Sequence, residues 1–302
     1  MKLAFLIQCH KNPKQIMMLI ETLSHPSIDF YVHIDKKSKI TLETINRHKS
    51  NVFILSDKER VDVRWGTFSQ VQATLNLLKR AAENKYDYYW LISGQDFPLV
   101  KNEDIIAKLT DGMCNGNNYV DLFYTKNNGA NLSTNFDKRN DIVFPKWMMK
   151  QGLKYRIIRR AWVELTGGYK HTFSMFQRSN NDKLKYYFGS SWWCIHNKFA
   201  YYILNYIDMH PEYISFFENA SCPDESFFQT LLMNSEFASS RKDYLHYIDW
   251  SQGKSSPKTL RCSDLENVFQ SKKLMARKID MDYDEKIIDE ILKRINNVEC
   301  GE

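Results

Sequence analysis

The chain has 302 residues and a net charge of +6, from 42 basic and 36 acidic side chains, with 43% hydrophobic and 26% charged residues. That balance excludes wholesale disorder, and 11 glycines with 7 prolines exclude collagen-like or linker-rich architectures. The small charge excess suits an anionic small-molecule ligand and is too weak to argue for nucleic acid. In chain order, LAFLI at 3–7 is a short continuous apolar run, the pattern of a strand buried on both faces. Asn12-Pro13 punctuates it, and IMMLIETL at 16–23 follows with helical character. FYVHID at 30–35 and VFILS at 52–56 are two further strand-like runs, rich in β-branched and aromatic residues. After Trp65-Gly66, the residues Val71, Leu75, Leu78 and Ala82 fall at i, i+4, i+7 and i+11, one apolar stripe of a helix. YDYYWLIS at 86–93 then reads as another buried strand.

Strand, helix, strand, strand, helix, strand implies a mostly parallel, Rossmann-like sheet with crossover helices. Ligands of such sheets bind at the carboxyl ends of the strands. There the chain carries Gln8-Cys9-His10, Asp35, and Ser93 to Asp96. No GxGxxG follows the first strand and no GxxxxGK[ST] occurs, so the dinucleotide and P-loop fingerprints are missing, as is common in nucleotide-sugar enzymes. The stretch 127–185 opens polar and Asn-rich, as a surface loop does. It continues as KWMMKQGLKYRIIRRAW at 146–162, where basic and apolar residues interleave. Two readings stay open: a helix with a solvated basic face, or an amphipathic helix making peripheral contact with an anionic membrane or lipid-linked acceptor through 146–160. Six cysteines at 9, 114, 194, 222, 262 and 300 form no CxxC pair and read as reduced, buried thiols. Nothing resembles a signal peptide, nor the roughly 20 apolar residues of a membrane span. The expectation is an intracellular, cytoplasmic protein folded as one unit, with a nucleotide-binding half over about 1–125 and an acceptor-binding, catalytic half over about 126–302.

Several segments match one family in order: VRWG at 63–66 with SQVQATL at 69–75, YDYYWLISGQDFPLV at 86–100, GSSWW at 189–193, PDESFF at 223–228, HYIDW at 246–250, SPKTLR at 256–261 and MARKID at 275–280. Together they resemble the core-2/I-branching β-1,6-N-acetylglucosaminyltransferase family, which also contains the peptide O-xylosyltransferases. The resemblance runs over about 1–290 and is weak only at 127–185. It implies an α/β GT-A type fold and an inverting glycosyltransferase that takes N-acetylglucosamine or xylose from a UDP-sugar, without a divalent metal or other cofactor. A bacterial-type cytoplasmic member would decorate a glycan or lipid-linked glycan at the inner face of the membrane, in surface polysaccharide synthesis.

Direct displacement needs a base for the acceptor hydroxyl and positive charge for the departing diphosphate. The resemblance assigns the base to Glu225 and the charge to Arg261 and Lys278. The segment joining those two is shorter than in the vertebrate branching enzymes, and Arg277 stands by as a fallback cation. Read neutrally, Glu225 is an ordinary first-turn acid, with Asp224 or Ser221 as the cap. Gln8, His10 and Asp35 fall to the nucleotide; for Asp35 the alternative is a turn-forming aspartate. Trp193 and Trp250 fall to the donor or acceptor sugar, against a core role. Of Trp192 and Trp193, one should point inward and the other outward. Asp280-Met281-Asp282 spells an Asp-x-Asp metal signature, but its place late in the chain favours an acidic opening of the last helix. Two rivals remain: a non-catalytic binding module for an anionic polymer, and a UDP-sugar hydrolase on the same fold.

Overall fold

The computed structural model describes residues 1–40, 51–125, 139–143, 145, 147–150, 152–178, 184–253 and 256–297. Its centre is a seven-stranded sheet. Strands β1 (Leu3–Cys9), β2 (Ile28–Ile34), β3 (Val52–Ile54) and β4 (Tyr88–Ser93) run parallel, with β1 between β2 and β4. The other edge carries β6 (Asn118–Val120), β9 (Trp193–His196) and β10 (Arg241–Lys242); β9 is antiparallel to both β4 and β6. The expected mostly parallel α/β sheet is therefore present, and the chain adds an antiparallel strand where the later segments join it.

Both faces of the sheet are covered, which is why β1 reads as an unbroken apolar run. Successive side chains of a strand point to opposite faces. Leu3, Phe5 and Ile7 enter one core layer together with helix α1 (Pro13–Thr22). Ala4 and Leu6 enter the other, against helix α2 (Ser69–Ala82), which buries Val71, Leu75 and Leu78 as its stripe requires. Helix α1 starts where the sequence punctuates: the Asn12 side chain accepts the Gln15 N–H at 3.1 Å, and Pro13 fills the first position. Helix α3 (Asn102–Met113) crosses from β5 (Asp96–Pro98) back to β6.

A second, three-stranded sheet closes the carboxyl end of the parallel strands. Here β12 (Met275–Arg277) lies between β5 and β11 (His246–Ile248), so Arg277 sits opposite both Asp96 and Ile248. A third, two-stranded sheet pairs β7 (Tyr124–Thr125) with β8 (Tyr187–Phe188). Between these two strands in sequence, α4 (Leu153–Leu165) and α5 (Tyr169–Met175) form a pair on the surface; Lys146 lies outside the described residues. The remaining helices are α6 (Asn197–Met209), α7 (Pro211–Glu218), α8 (Phe227–Met233), α9 (Leu265–Gln270) and α10 (Ile287–Asn297).

Two local expectations need correction. The last helix opens at Ile287 rather than at Asp282, because the acids ahead of it have other partners. Asp280 and Asp282 both pair with Lys11, and Asp284 accepts the Cys262 N–H. The cysteines are not all buried either: Cys9, Cys194 and Cys222 are, but Cys114 is exposed and Cys262 half-buried, while Cys300 lies outside the described residues.

Candidate active site

At the carboxyl ends of the parallel strands opens a cleft of about 1480 Å3. Pockets for drug-sized ligands usually span about 300–1,000 Å3, so this one has room for two ligands side by side. Gln8, His10 and Asp35 all line it, as strand-end placement predicts. The Gln8 amide is fixed by Thr74 Oγ1 at 2.7 Å. Asp35 is both turn-former and wall: its carboxylate accepts the Lys37 N–H at 3.1 Å while facing the cleft. Deeper in, His33 accepts the Val61 N–H through Nε2 at 2.9 Å, and burial pushes its pKa down to about 4, so the ring is neutral.

On the same cleft as Gln8, His10 and Asp35, Glu225 closes a single 3-10 turn, Pro223–Glu225, just ahead of α8. Neither Asp224 nor Ser221 caps α8. Instead Asp224 accepts the Ser191 hydroxyl at 2.6 Å and is buried, which raises its pKa. Glu225 stays 26% exposed to the cleft and forms an ion pair through Oε2 with Arg139. Desolvation and the neighbouring Asp224 charge outweigh Arg139 and push Glu225 up to about 7. Two backbone bonds hold this arrangement: Gly189 N–H to the Glu225 carbonyl, and Ser221 N–H to the Arg139 carbonyl, each at 2.9 Å. Only glycine fits at 189, since a Cβ there would lie 1.8 Å from the Asp121 carbonyl oxygen.

The cations come from the end of β12. Lys278 and Arg277 both line the cleft, joined by a cis peptide bond. Arg277 is held from three sides. Its Nη1 donates to Asp96 at 2.7 Å, its guanidinium stacks on Trp192 at 4.3 Å, and its backbone lies in the sheet. Asp96 is fully buried; burial alone would raise it, but Arg277, His246 and the Ser93 N–H together hold it below the usual carboxylate range. Lys278 makes no ion pair among the described residues, and burial followed by the Arg277 charge lowers its pKa. A buried polar layer fixes this segment behind the cleft. Gln15 donates to the carbonyls of Gly94 and Ile279, and Gln95 donates to Asp280, which also takes Lys11.

Two assigned residues fall elsewhere. Arg261 is not on the cleft: its side chain donates to Tyr283 Oη at 2.8 Å and packs over that ring, so Arg277 takes the place beside Lys278. Trp193 is fully buried against Phe228, because β9 turns it into the sheet core, and it is Trp192 that faces the cleft. Trp250 is 50% exposed on the rim, which removes the core reading for that ring. Asp280 and Asp282 face Lys11 rather than the cleft, and among the described residues no three His, Cys, Asp or Glu side chains gather as a metal-ligand set. Sequence reasoning missed Arg139, which sits in the least legible stretch, and the Asp96–Arg277 pair, whose partners lie 181 residues apart.

A mostly parallel sheet with a cleft at its strand ends, lined by a carboxylate raised toward neutrality and by two cations, defines an α/β protein whose ligand site lies where such sheets place it. The chain belongs to the Core-2/I-Branching enzyme family, whose profile matches residues 3–272. It is 23% identical over 300 residues to a xylosyltransferase of Ciona intestinalis, covering 92% of this chain and 32% of that protein. It is also 23% identical over 239 residues to the human probable beta-1,3-galactosyl-O-glycosyl-glycoprotein beta-1,6-N-acetylglucosaminyltransferase 7, covering 76% of this chain and 49% of that one. The chain thus spans about a third of the xylosyltransferases it matches. A looser likeness, at a TM-score of 0.36 and 12% identity, reaches core-mannan synthase A of Aspergillus fumigatus over 80% of this chain and 72% of that one. No helix among the described residues is long and apolar enough to cross a membrane.

Proposed function

We propose that the protein is an inverting glycosyltransferase on a GT-A type fold, transferring a sugar from a UDP-sugar to a hydroxyl of a glycan without a divalent metal. The observation that carries this reading is that Glu225 faces the cleft that Lys278 and Arg277 also line, with its pKa near 7. General bases work best with a pKa close to the operating pH.

In the reaction, the acceptor hydroxyl oxygen attacks the anomeric carbon from the side opposite the diphosphate, and Glu225 takes its proton. The bond from the anomeric carbon to the phosphate oxygen breaks, and its electron pair stays on the UDP leaving group. Positive charge aimed at that oxygen lowers the barrier. Arg277 offers a planar fork already oriented by Asp96, and Lys278 a point charge with no carboxylate partner among the described residues. Arg139 pins one oxygen of Glu225 and so fixes its rotamer. The nucleoside would lie against Gln8, His10 and Asp35, with the acceptor on the side of Trp250. The relatives' names divide between xylosyl and N-acetylglucosaminyl transfer. Among the described residues lining the cleft, none chooses between them.

A turnover panel of UDP-xylose and UDP-N-acetylglucosamine in EDTA tests donor and metal independence together. Glu225→Gln is expected to retain UDP binding and lose roughly 10²–10⁴ in turnover, the scale of general-base removal. Near-normal turnover in that variant would remove the assignment, and activity lost in EDTA but restored by Mn²⁺ would overturn metal independence. Donor breakdown unchanged by any acceptor would favour the hydrolase instead.

A further inference from the structure

Helix α4 carries an unusual surface. Leu153, Ile157 and Leu165 follow the i, i+4 row of one face and are 71%, 62% and 84% exposed, and Ile158 and Trp162 lie on the adjoining row. Only Val163 of this helix is buried. Lys154, Arg156 and Arg160 are exposed beside the apolar row, three cations against the single carboxylate of Glu164, while Arg159 is turned inward. The helix is nonetheless firmly seated. Arg159 donates to the carbonyls of Met148 and Lys150, Trp162 packs edge-on against Trp147, and Thr166 and Thr172 share a hydrogen bond.

We infer that this face of α4 docks on an anionic lipid bilayer. The charge argues for that occupant over a second copy of the chain, since self-pairing would oppose like charges. The exposure argues the same way. The apolar row is left uncovered, and long cationic side chains beside it can bury their stems while their heads reach lipid phosphates. The position gives docking a purpose: Tyr155 on this helix and Lys150 just ahead of it line the cleft. A bilayer under α4 would therefore bring membrane-attached acceptors close to the site. The inference goes beyond the glycosyl-transfer reading, and its test uses no sugar donor, so either can fail alone.

Vesicle co-sedimentation of the full chain decides it, with phosphatidylcholine alone and with phosphatidylcholine containing a third phosphatidylglycerol. Each basic residue near an anionic surface adds about a factor of five, so the anionic vesicles should bind roughly 10²-fold more tightly. One molar salt should release the protein, a result independent of any variant. Arg156→Glu with Arg160→Glu should abolish the preference, and Leu153→Ser with Ile157→Ser and Leu165→Ser should weaken binding roughly tenfold or more, with unfolding midpoints unchanged. Equal or absent binding to both vesicle types, folded variants that bind like the parent, or a dimer that the serine variant dissolves without any vesicle binding would each overturn the inference.

Discussion

Strand β1 and helix α4 are both crowded with apolar side chains, yet they use them in opposite ways. Strand β1 hides Leu3, Phe5 and Ile7 in one layer and Ala4 and Leu6 in the other, whereas α4 buries Val163 alone. Burial is a property of what packs on a segment, not of its composition. A strand between two covered faces buries its apolar side chains on both, and a surface helix ordinarily turns its apolar stripe inward as α2 does, so the outward row of α4 is the exception. The sheet is thus a rigid support for the groups at its ends, while the apolar row of α4 stays exposed.

The largest effects should fall on the sheet side. Trp193→Ala removes a fully buried ring and should cost about 3–5 kcal/mol, and Leu6→Ala about 2–5, read from denaturant unfolding. Leu165→Ser, on α4, should stay within about 0.5 kcal/mol; a comparable loss there would mean that α4 is part of the core after all. The contrast extends to charge. Lys278→Ala should lower kcat by roughly 10²–10³, the scale of losing one donor aimed at a developing anion. Arg261→Ala and Arg160→Ala, whose cations lie off the cleft, should leave turnover of a soluble acceptor within a factor of about two. A large loss in Arg261→Ala would show that the loop carrying it moves onto the donor.

A smaller and more diagnostic effect lies in the pH profile. Glu225 must be ionised to accept a proton, so kcat/KM should rise tenfold per pH unit below about 7 and level above it. The descending limb should begin below the ordinary lysine range, because burial and Arg277 lower Lys278. In stability the sign reverses. A carboxyl whose folded pKa is raised contributes stability that is fully present below its unfolded value near 4.5 and lost as pH climbs through about 7. Glu225→Gln should therefore be more heat-stable than the parent above pH 7, and equal midpoints there would deny the shift.

How much of the fold is legible in the sequence follows from these differences. Long runs such as β1, β2 and β4, and the stripe of α2, announce themselves because burial on fixed faces imposes a period. Strands β5, β10, β11 and β12 span only two or three residues, too few for any period, and so the second sheet that delivers Arg277 was invisible. Gln8, His10 and Asp35 were legible because a parallel sheet places its ligands at strand ends. Glu225 and Lys278 came from the resemblance of whole segments. The same resemblance could not tell that Arg261 packs on Tyr283 and that Trp193 is buried, since matching a segment does not fix which way a side chain turns.

By itself, then, the order of residues determined the layered α/β core and the strand ends around which a ligand could gather, because hydrophobic periodicity is local and survives in one dimension. Only the tertiary structure decided that Arg261 turns away from the cleft that Arg277 and Lys278 line, that Asp96 holds Arg277, and that Arg139 faces Glu225. The two pairings join residues 181 and 86 positions apart, and electrostatic partners leave no period in a chain that has yet to fold.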